Sequence, residues 1–466
     1  MKLLLSVYGL ASWHLIKCNA EGSGSSYKHI TRDVAIIGGG VSGTFAAIKL
    51  RDAGKSVIII EAEDHLGGPS QVYVDPTNGK SADYGTEVAF RNVSLVRDFY
   101  ARFGIELKSA SPPPGPSINV DFGTGHGIHL PEYTAKETVA ALARYAALWT
   151  EHSYLHNGVF LPEPVPADLV LPFDDMVTKY SLQPLVPLFN ELLQGWGNMD
   201  TLLSLYVLRH ISISMIQALS TGNLVRPGAD DNKKAYRAVE EDLGFGNLLL
   251  GSTITNASRS DGNAWQQLWV TSFNHSTIVR AKKVLVTIPA VPKNMRPIGI
   301  DAHENAIFWR LTPLNHWVGL LRGTGILRGT TLVNIANNTV HKSFSAPGSH
   351  AYARTTNPLL HNFAFTSYMD TDEEFTKDIV LREVERLRGG GFVNATAPKF
   401  AVIRQHQYHG TNVLSGKDVS DGFLRNMSAL QGYRKTYYTG PEFAGEGTVA
   451  AFNFTVTHVL PQLLKD

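Results

Sequence analysis

Three glycines and one acid carry the first chemistry legible in this chain. Gly38, Gly40 and Gly43 stand at G-x-G-x-x-G spacing, and Glu61 follows Gly43 by 18 residues. The first glycine permits a tight strand-to-helix turn. The second lets backbone approach a pyrophosphate, and the third lets the helix pack closely on the strand. The helix opening there offers N–H groups and partial positive charge to phosphates. Glu61 suits hydrogen bonds from a ribose 2′-OH and would repel a 2′-phosphate, so the pattern favours FAD or NAD over NADP. Apolar runs at 34–37 and 57–60 supply the flanking strands that the motif needs.

Other residues of chemical type are scattered. Gly67 and Gly68 again allow close backbone approach to a ligand. Asp83 and Glu87 flank Gly85, where a carboxylate could act as base. His316 lies in an apolar strand-like run, 314–318, and is a candidate proton acceptor. His406 and His409 tempt a metal reading. On a strand they would face opposite sides, and no carboxylate or cysteine cluster stands beside them, so no metal is expected. His406 is instead the candidate to face a substrate cavity, and His406→Ala should keep bound cofactor but lose its reduction by substrate.

The frame that must position these groups is large. The chain has 466 residues, 43% of them hydrophobic, enough for two or three domains. Lys+Arg number 42 against Asp+Glu 41, which gives no charge argument for nucleic acid. The partner expected is a small-molecule substrate, and composition specifies no oligomeric state.

The N-terminus reads as a signal peptide over 1–20. Lys2 precedes an apolar stretch, 3–16, too short to span a membrane, and Cys18-Asn19-Ala20 ends like a cleavage site. The single cysteine, Cys18, falls inside that signal. The mature chain is thus expected to lack disulfides, thiolate chemistry and cysteine-linked flavin. N-x-S/T sequons at Asn92, Asn256, Asn274, Asn337, Asn394, Asn426 and Asn453 agree with passage through the secretory pathway, Asn453 being the one expected to stay unmodified.

Element patterns alternate along the chain. A β-α-β unit opens at 31, a hairpin turn falls at 75–80, and an amphipathic helix at 95–103. A Pro/Gly-rich stretch at 109–127 marks a boundary, and helical periodicity covers 135–150 and much of 174–221. Pro184 and Pro187 suit the first turn of a helix. A helix is expected at 236–243, alternating strands at 247–255 and 265–273, and a buried strand at 284–289. The last block, 435–464, reads as strand, Gly-rich turn and helix. The expected fold is α/β. A Rossmann-like nucleotide domain (31–108, 236–300 and 411–466) is interleaved with a mixed α+β substrate domain (109–235 and 301–410). Such interleaving suits an FAD enzyme better than an NAD dehydrogenase.

These blocks together resemble the flavin amine oxidase superfamily. Gly38, Gly40, Gly43, Glu61, Gly67 and Gly68 match its fingerprint residue by residue. Glu63 and Pro69 stand where that superfamily often has arginine. A narrower resemblance is to the fungal β-cyclopiazonate dehydrogenase family, through residues 33–38, Val74-Asp75-Pro76, Asp83-Tyr84-Gly85 and Tyr437-Tyr438-Thr439-Gly440. It implies FAD as cofactor and oxidation of an activated carbon in a terpenoid or prenylated secondary metabolite, coupled in some relatives to ring closure.

Within that resemblance, Gly85 would lie beside the flavin ring and backbone near Ile254 beside the adenine. Gly440 would approach the phosphates or ribityl chain. The literal Phe443-Ala444-Gly445-Glu446 offers a second register for that return, but the strand before Gly440 favours the first. Gly447-Thr448-Val449 opens a helix whose N–H groups could stabilise a reduced, anionic flavin. Amine oxidases of the superfamily often carry a lysine on the strand comparable to 314–318. None occurs there, which argues against amine oxidation. The alternatives are an amine, amino-acid or prenylcysteine-type oxidase, an NAD dehydrogenase, and a non-catalytic nucleotide-binding protein. An arginine clamp would mark a carboxylate substrate, and spacing does not place the candidates Arg354 and Arg404. Covalent flavin attachment through His65 stays open.

Overall fold

The apolar runs at 34–37 and 57–60 are buried throughout and lie side by side in a seven-stranded sheet. In the computed structural model of the chain, the described residues are 27–68, 71–85, 89–91, 93–110, 114–227, 229–273, 275–312, 314–394, 397–405, 414–445 and 447–465. The sheet runs Leu248–Leu249, Val57–Ile60, Lys28–Ile37, His275–Val286, Gln266–Ser272 and Ser252–Ser258. Its first four strands are parallel and the last two pair antiparallel. The strand His275–Val286 is 12 residues long and serves two partners. Its first part joins the antiparallel meander, while Val284, Leu285 and Val286 pair in parallel with Thr436–Tyr438. The sequence reading recognised only the end of this strand, and the strand stops at Val286 rather than running to Pro289.

Helix Val41–Asp52 packs on this sheet through Phe45, Ala46, Ala47 and Ile48, all buried. Phe45 stacks on Phe452 of helix Thr448–Phe454, with ring centroids 3.7 Å apart. One aromatic pair thus joins the first and last segments of the chain into one layer.

A second seven-stranded sheet runs Lys399–Gln405, Asn315–Arg322, Leu360–Ser367, Gly348–Arg354, Thr331–Asn334, Ser117–Asp121 and His126–Gly127. Its strands come from two stretches of sequence separated by the meander. Helix Glu373–Gly389 covers one face, where Val380, Val384 and Leu387 meet Trp317, Tyr352, Phe363 and Phe365. The opposite face packs Val318 and Leu320 on Tyr73, Ala82 and Tyr84 of the hairpin Val72–Val74 and Ser81–Asp83. That contact brings the second sheet to the glycine-bearing loops.

A small third sheet pairs Ala89–Phe90 and Leu107–Ser109 with Leu224–Pro227. Helix Ala229–Leu243 begins seven residues before the expected start at 236. Its opening turns carry Asp230, Asp231, Asn232, Lys233 and Lys234, and this polar run shows no apolar stripe to read. Pro184 and Pro187 occupy first-turn positions of Gln183–Leu185 and Val186–Leu192, as expected from proline's missing N–H. Among the described residues no helix is long and apolar enough to cross a membrane.

Candidate active site

Five parallel strands end on one side of the first sheet, at Ile37, Ile60, Leu249, Val286 and Tyr438. The crevice beyond such carboxyl ends is where open α/β sheets take ligands. The glycine turn sits in it. Thr287 donates its backbone N–H to the Ile37 carbonyl at 2.9 Å, and its hydroxyl donates to the carbonyls of Ile37 and Gly38 at 3.0 and 3.1 Å. Gly38 has φ +106°, reached at low cost only by glycine. A Cβ on Gly43 would lie 2.0 Å from the Gly38 carbonyl oxygen.

Gly40 differs from its neighbours. Among the described residues, a Cβ there would meet only the Gly68 Cα, at 3.8 Å. It caps helix Val41–Asp52 without a side-chain hydrogen bond, and the first turn carries no acid. The N–H groups of that turn have no intrahelical acceptors and are suited to an anion. The second glycine pair closes the cradle: Gly67 donates its N–H to the Gly39 carbonyl at 3.0 Å. Backbone, not side chain, therefore lines the place where a pyrophosphate would lie, which fits a dinucleotide.

Glu61 is held by this turn. One carboxylate oxygen accepts the Gly39 N–H at 2.6 Å and the other accepts the Glu63 N–H at 2.8 Å. Each oxygen keeps a further lone pair, so the ribose role expected for Glu61 remains available. Ser252 donates its N–H to the Glu61 carbonyl, which places Ile254 two residues along the strand leaving the crevice. Gly440 has φ +111° and follows the strand Thr436–Tyr438 after one residue, Thr439, beside Thr287. Gly445, the alternative register, lies against Arg209. Thr448 and Val449 open the seven-residue helix Thr448–Phe454 behind Gly447.

Asp83 is tied to Arg226 at 2.6 Å, which removes it as the expected base, and Glu87 lies outside the described residues. The position of Glu63 has a tertiary explanation. Arg404, brought by the edge strand Lys399–Gln405, donates to Glu63 at 2.7 Å. Tyr84 sits beside this pair. Burial pushes its phenol up, Arg404 pulls it down and Glu63 pushes it up again. Arg354 is spent elsewhere, on the Pro116 carbonyl and the Thr331 hydroxyl.

A cavity of about 490 Å³ opens beside the segment that follows Thr287. Val291, Pro292, Leu311, Leu314 and Met369 give it apolar walls, and Asn315, His316, Tyr368 and Gln405 add polar groups. His316 is buried on strand Asn315–Arg322 and reaches this cavity. His406 and His409 lie outside the described residues, one and four positions beyond the cavity-lining Gln405. Strand 314–318 has no lysine, yet Lys293, from the short helix Pro292–Met295, lines the same cavity. His65 lines a separate cavity of about 440 Å³ with Tyr236 and Glu240, and its Nδ1 is 2.6 Å from Asp64.

Comparison with known proteins agrees with this geometry. Residues 36–103 match the family described as NAD(P)-binding Rossmann-like domain. The chain is 31% identical to FAD-dependent oxidoreductase pigF of Monascus ruber, over 99% of this chain and 98% of that one. It is 29% identical to β-cyclopiazonate dehydrogenase of Aspergillus flavus, over 93% of both. Among solved structures, a conjugated-linoleic-acid-producing fatty acid isomerase of P. acnes superposes with a TM-score of 0.73 at 18% identity, covering 92% of this chain and 99% of that one. Putrescine oxidase bound to putrescine gives 0.60 at 15%, covering 93% and 100%. The amine-oxidase-type fold, the backbone cradle and the full-length relatives together make FAD the cofactor, and the chain belongs to the family of fungal FAD-dependent oxidoreductases that includes β-cyclopiazonate dehydrogenase.

Proposed function

We propose that this oxidoreductase removes a hydride from an activated carbon of a secondary metabolite with a terpenoid or prenylated scaffold. One observation supports the reading: the 490 Å³ cavity beside the cofactor crevice combines an apolar wall of Val291, Pro292, Trp309, Leu311, Leu314 and Met369 with polar groups from several elements, among them Lys293, Asn315, His316, Tyr368 and Gln405. Such a site suits a bulky hydrophobic molecule held in one orientation. FAD, when bound, supplies the two-electron acceptor. The protein's part is to exclude water with Val291, Leu311, Leu314 and Met369 and to orient the substrate with Asn315, Tyr368 and Gln405. Ring closure after hydride loss belongs to the same proposal. So does entry into the secretory pathway, supported by the exposure of Asn256, Asn337, Asn394 and Asn426.

The test is anaerobic mixing of purified holoenzyme with a panel of prenylated and terpenoid compounds, followed by flavin absorbance and product mass. Bleaching with a product two hydrogens lighter supports the proposal. Bleaching by simple amines alone sinks it and favours an amine oxidase, the second reading, which Lys293 at the cavity wall supports.

A further inference from the structure

Among the residues lining the 490 Å³ cavity, Lys293 and Asp370 carry a charge that neutral pH leaves fixed. They stand on different elements, and their surroundings differ. Asp370 follows strand Leu360–Ser367, and its Oδ1 accepts from Nδ2 of Asn315 at 2.8 Å. That amide is held in one sense. Its Oδ1 accepts from the Trp317 indole at 2.7 Å and from the Thr371 hydroxyl at 2.9 Å, and an indole N–H only donates. The acid is thus tied into the edge of the second sheet.

Lys293 has no such tie. It stands on the short helix Pro292–Met295, whose backbone is well anchored. Asn294 and Met295 both donate N–H groups to the Val291 carbonyl at 3.0 Å, and Nδ2 of Asn294 donates to the Pro289 carbonyl at 3.0 Å. The Lys293 ammonium itself meets no carboxylate and no hydrogen-bond acceptor among the described residues. Three residues on, Arg296 lies over the ring of Trp309, 5.4 Å from its centroid, and Trp309 lines the same cavity. Arg296 also meets no carboxylate among the described residues, whereas Arg310, next to Trp309, is paired with Asp418.

One wall of the cavity therefore carries positive charge without a counter-ion, while the acid of the cavity is already engaged. A cleft lined by an excess of one sign concentrates ligands of the other. The apolar side chains of Leu311, Leu314 and Met369 beside it keep water out and strengthen that attraction.

We propose that Lys293 is the anion-recognising residue of this cavity and that the substrate is a terpenoid or prenylated carboxylic acid. Its carboxylate meets the Lys293 ammonium, and its hydrocarbon lies against Leu311, Leu314 and Met369. Arg296 adds to the positive field from its place over Trp309. A hydrocarbon wall alone holds an apolar chain in either direction; an ion pair at one end fixes which way it lies. This rests on the reading that substrate occupies the cavity.

Calorimetric titration of the holoenzyme at neutral pH with geranic acid, methyl geranate and geranylamine tests it. The ionised acid should bind at least about tenfold tighter than its ester, the worth of a hydrogen bond to a charged group. That advantage should shrink as salt rises. Lys293→Gln should erase it, and Lys293→Arg, which keeps the charge, should retain it. Lys293 is exposed, so both variants should fold. Equal affinity for acid and ester in the wild type overturns the proposal, as does binding of neither. An acid preference that survives in Lys293→Gln overturns it too. So does geranylamine as the tightest ligand, which would favour the amine oxidase reading. Failure of the substrate reading shows separately, as Lys293-dependent binding of the acid to an enzyme whose flavin no terpenoid bleaches.

Discussion

Gly40 and Gly68 bring two loops together backbone to backbone, and the fit is asymmetric. A Cβ on Gly68 would lie 3.0 Å from the Gly40 Cα, whereas a Cβ on Gly40 would find its only neighbour among the described residues at 3.8 Å. The described residues therefore leave room for a methyl group at 40, on the side where a bound ligand would contest it.

That asymmetry separates cofactor binding from folding. Gly40→Ala should cost less than about 1 kcal/mol of apoprotein stability, the scale of a glycine-to-alanine change at a helix cap. It should nevertheless weaken flavin binding at least about tenfold, one hydrogen bond's worth or more. Gly43→Ala, with its Cβ 2.0 Å from the Gly38 oxygen, should destabilise the apoprotein as well. Flavin absorbance per protein and apoprotein melting, read together, decide it. Full flavin occupancy in Gly40→Ala would count against the assigned cradle.

Acid should weaken the fold between about pH 6.5 and 4. Burial pushes His361 down to about 4, partly offset by a hydrogen bond with the Thr330 backbone. Burial also pushes His156 down to about 4, helped by Arg209. As pH falls through the ordinary histidine value, the unfolded chain takes protons that the folded chain refuses. The stability is whole above about pH 6.5 and drains away until the folded groups protonate near 4. For His361 alone the full effect is about 3 kcal/mol. Urea midpoints at pH 7.5 and 5.0 should differ, and His361→Gln, which can still meet Thr324, should narrow the gap. An unchanged gap in that variant would refute the assignment.

A buried charge cluster holds the strand that delivers Gly440. Arg259 and Glu304 are fully buried and 2.9 Å apart. Arg259 also donates to Thr436, and Glu304 accepts from Arg434 and Tyr438. Arg259→Ala would leave Glu304 buried with Arg434 as its remaining charge partner, a loss of about 1.5–3 kcal/mol, the worth of a hydrogen bond to a charged group. Chemical denaturation should show that loss, and flavin retention should fall with it. A variant within about 1 kcal/mol of wild type would place the cluster among weak surface pairs instead.

Exposure ranks the sequons as candidate glycosylation sites under the proposed secretory route. Asn256, Asn337, Asn394 and Asn426 are exposed. Asn453 is half-buried in helix Thr448–Phe454, and its partner Thr455 is fully buried. Chain expressed through a eukaryotic secretory route should carry glycans at exposed sites and none at Asn453. Peptide mass spectrometry with and without endoglycosidase reads this directly. A glycan at Asn453, or none at the four exposed sites, would contradict it.

The phosphate cradle was legible because it is local. Gly38, Gly40, Gly43 and Glu61 fall within one β-α-β unit, and each glycine answers a steric demand of its own turn. The partner of the cradle was half legible: Gly67-Gly68 stood out, but nothing in the sequence said that Gly67 would bond to Gly39. The pairing of Asp83 was not legible, because its partner, Arg226, lies on a strand far along the chain. Glu63 looked anomalous until Arg404, 341 residues later, supplied its counter-charge.

By itself, then, the sequence determined the dinucleotide motif, the strand–helix alternation and the side of the sheet on which the cofactor binds. Those depend on spacing within a turn or two of backbone. Only the tertiary structure decided what surrounds His316, whose Nδ1 lies 3.1 Å from the Thr366 hydroxyl, itself 3.1 Å from Nε2 of His350. Thr366 is 50 residues from His316, and Gly195 is 155 from His350, so their meeting rests on strand register and one bulge between Ser349 and Tyr352. A one-residue slip in that register would turn these side chains to the opposite face, and no local pattern encodes it.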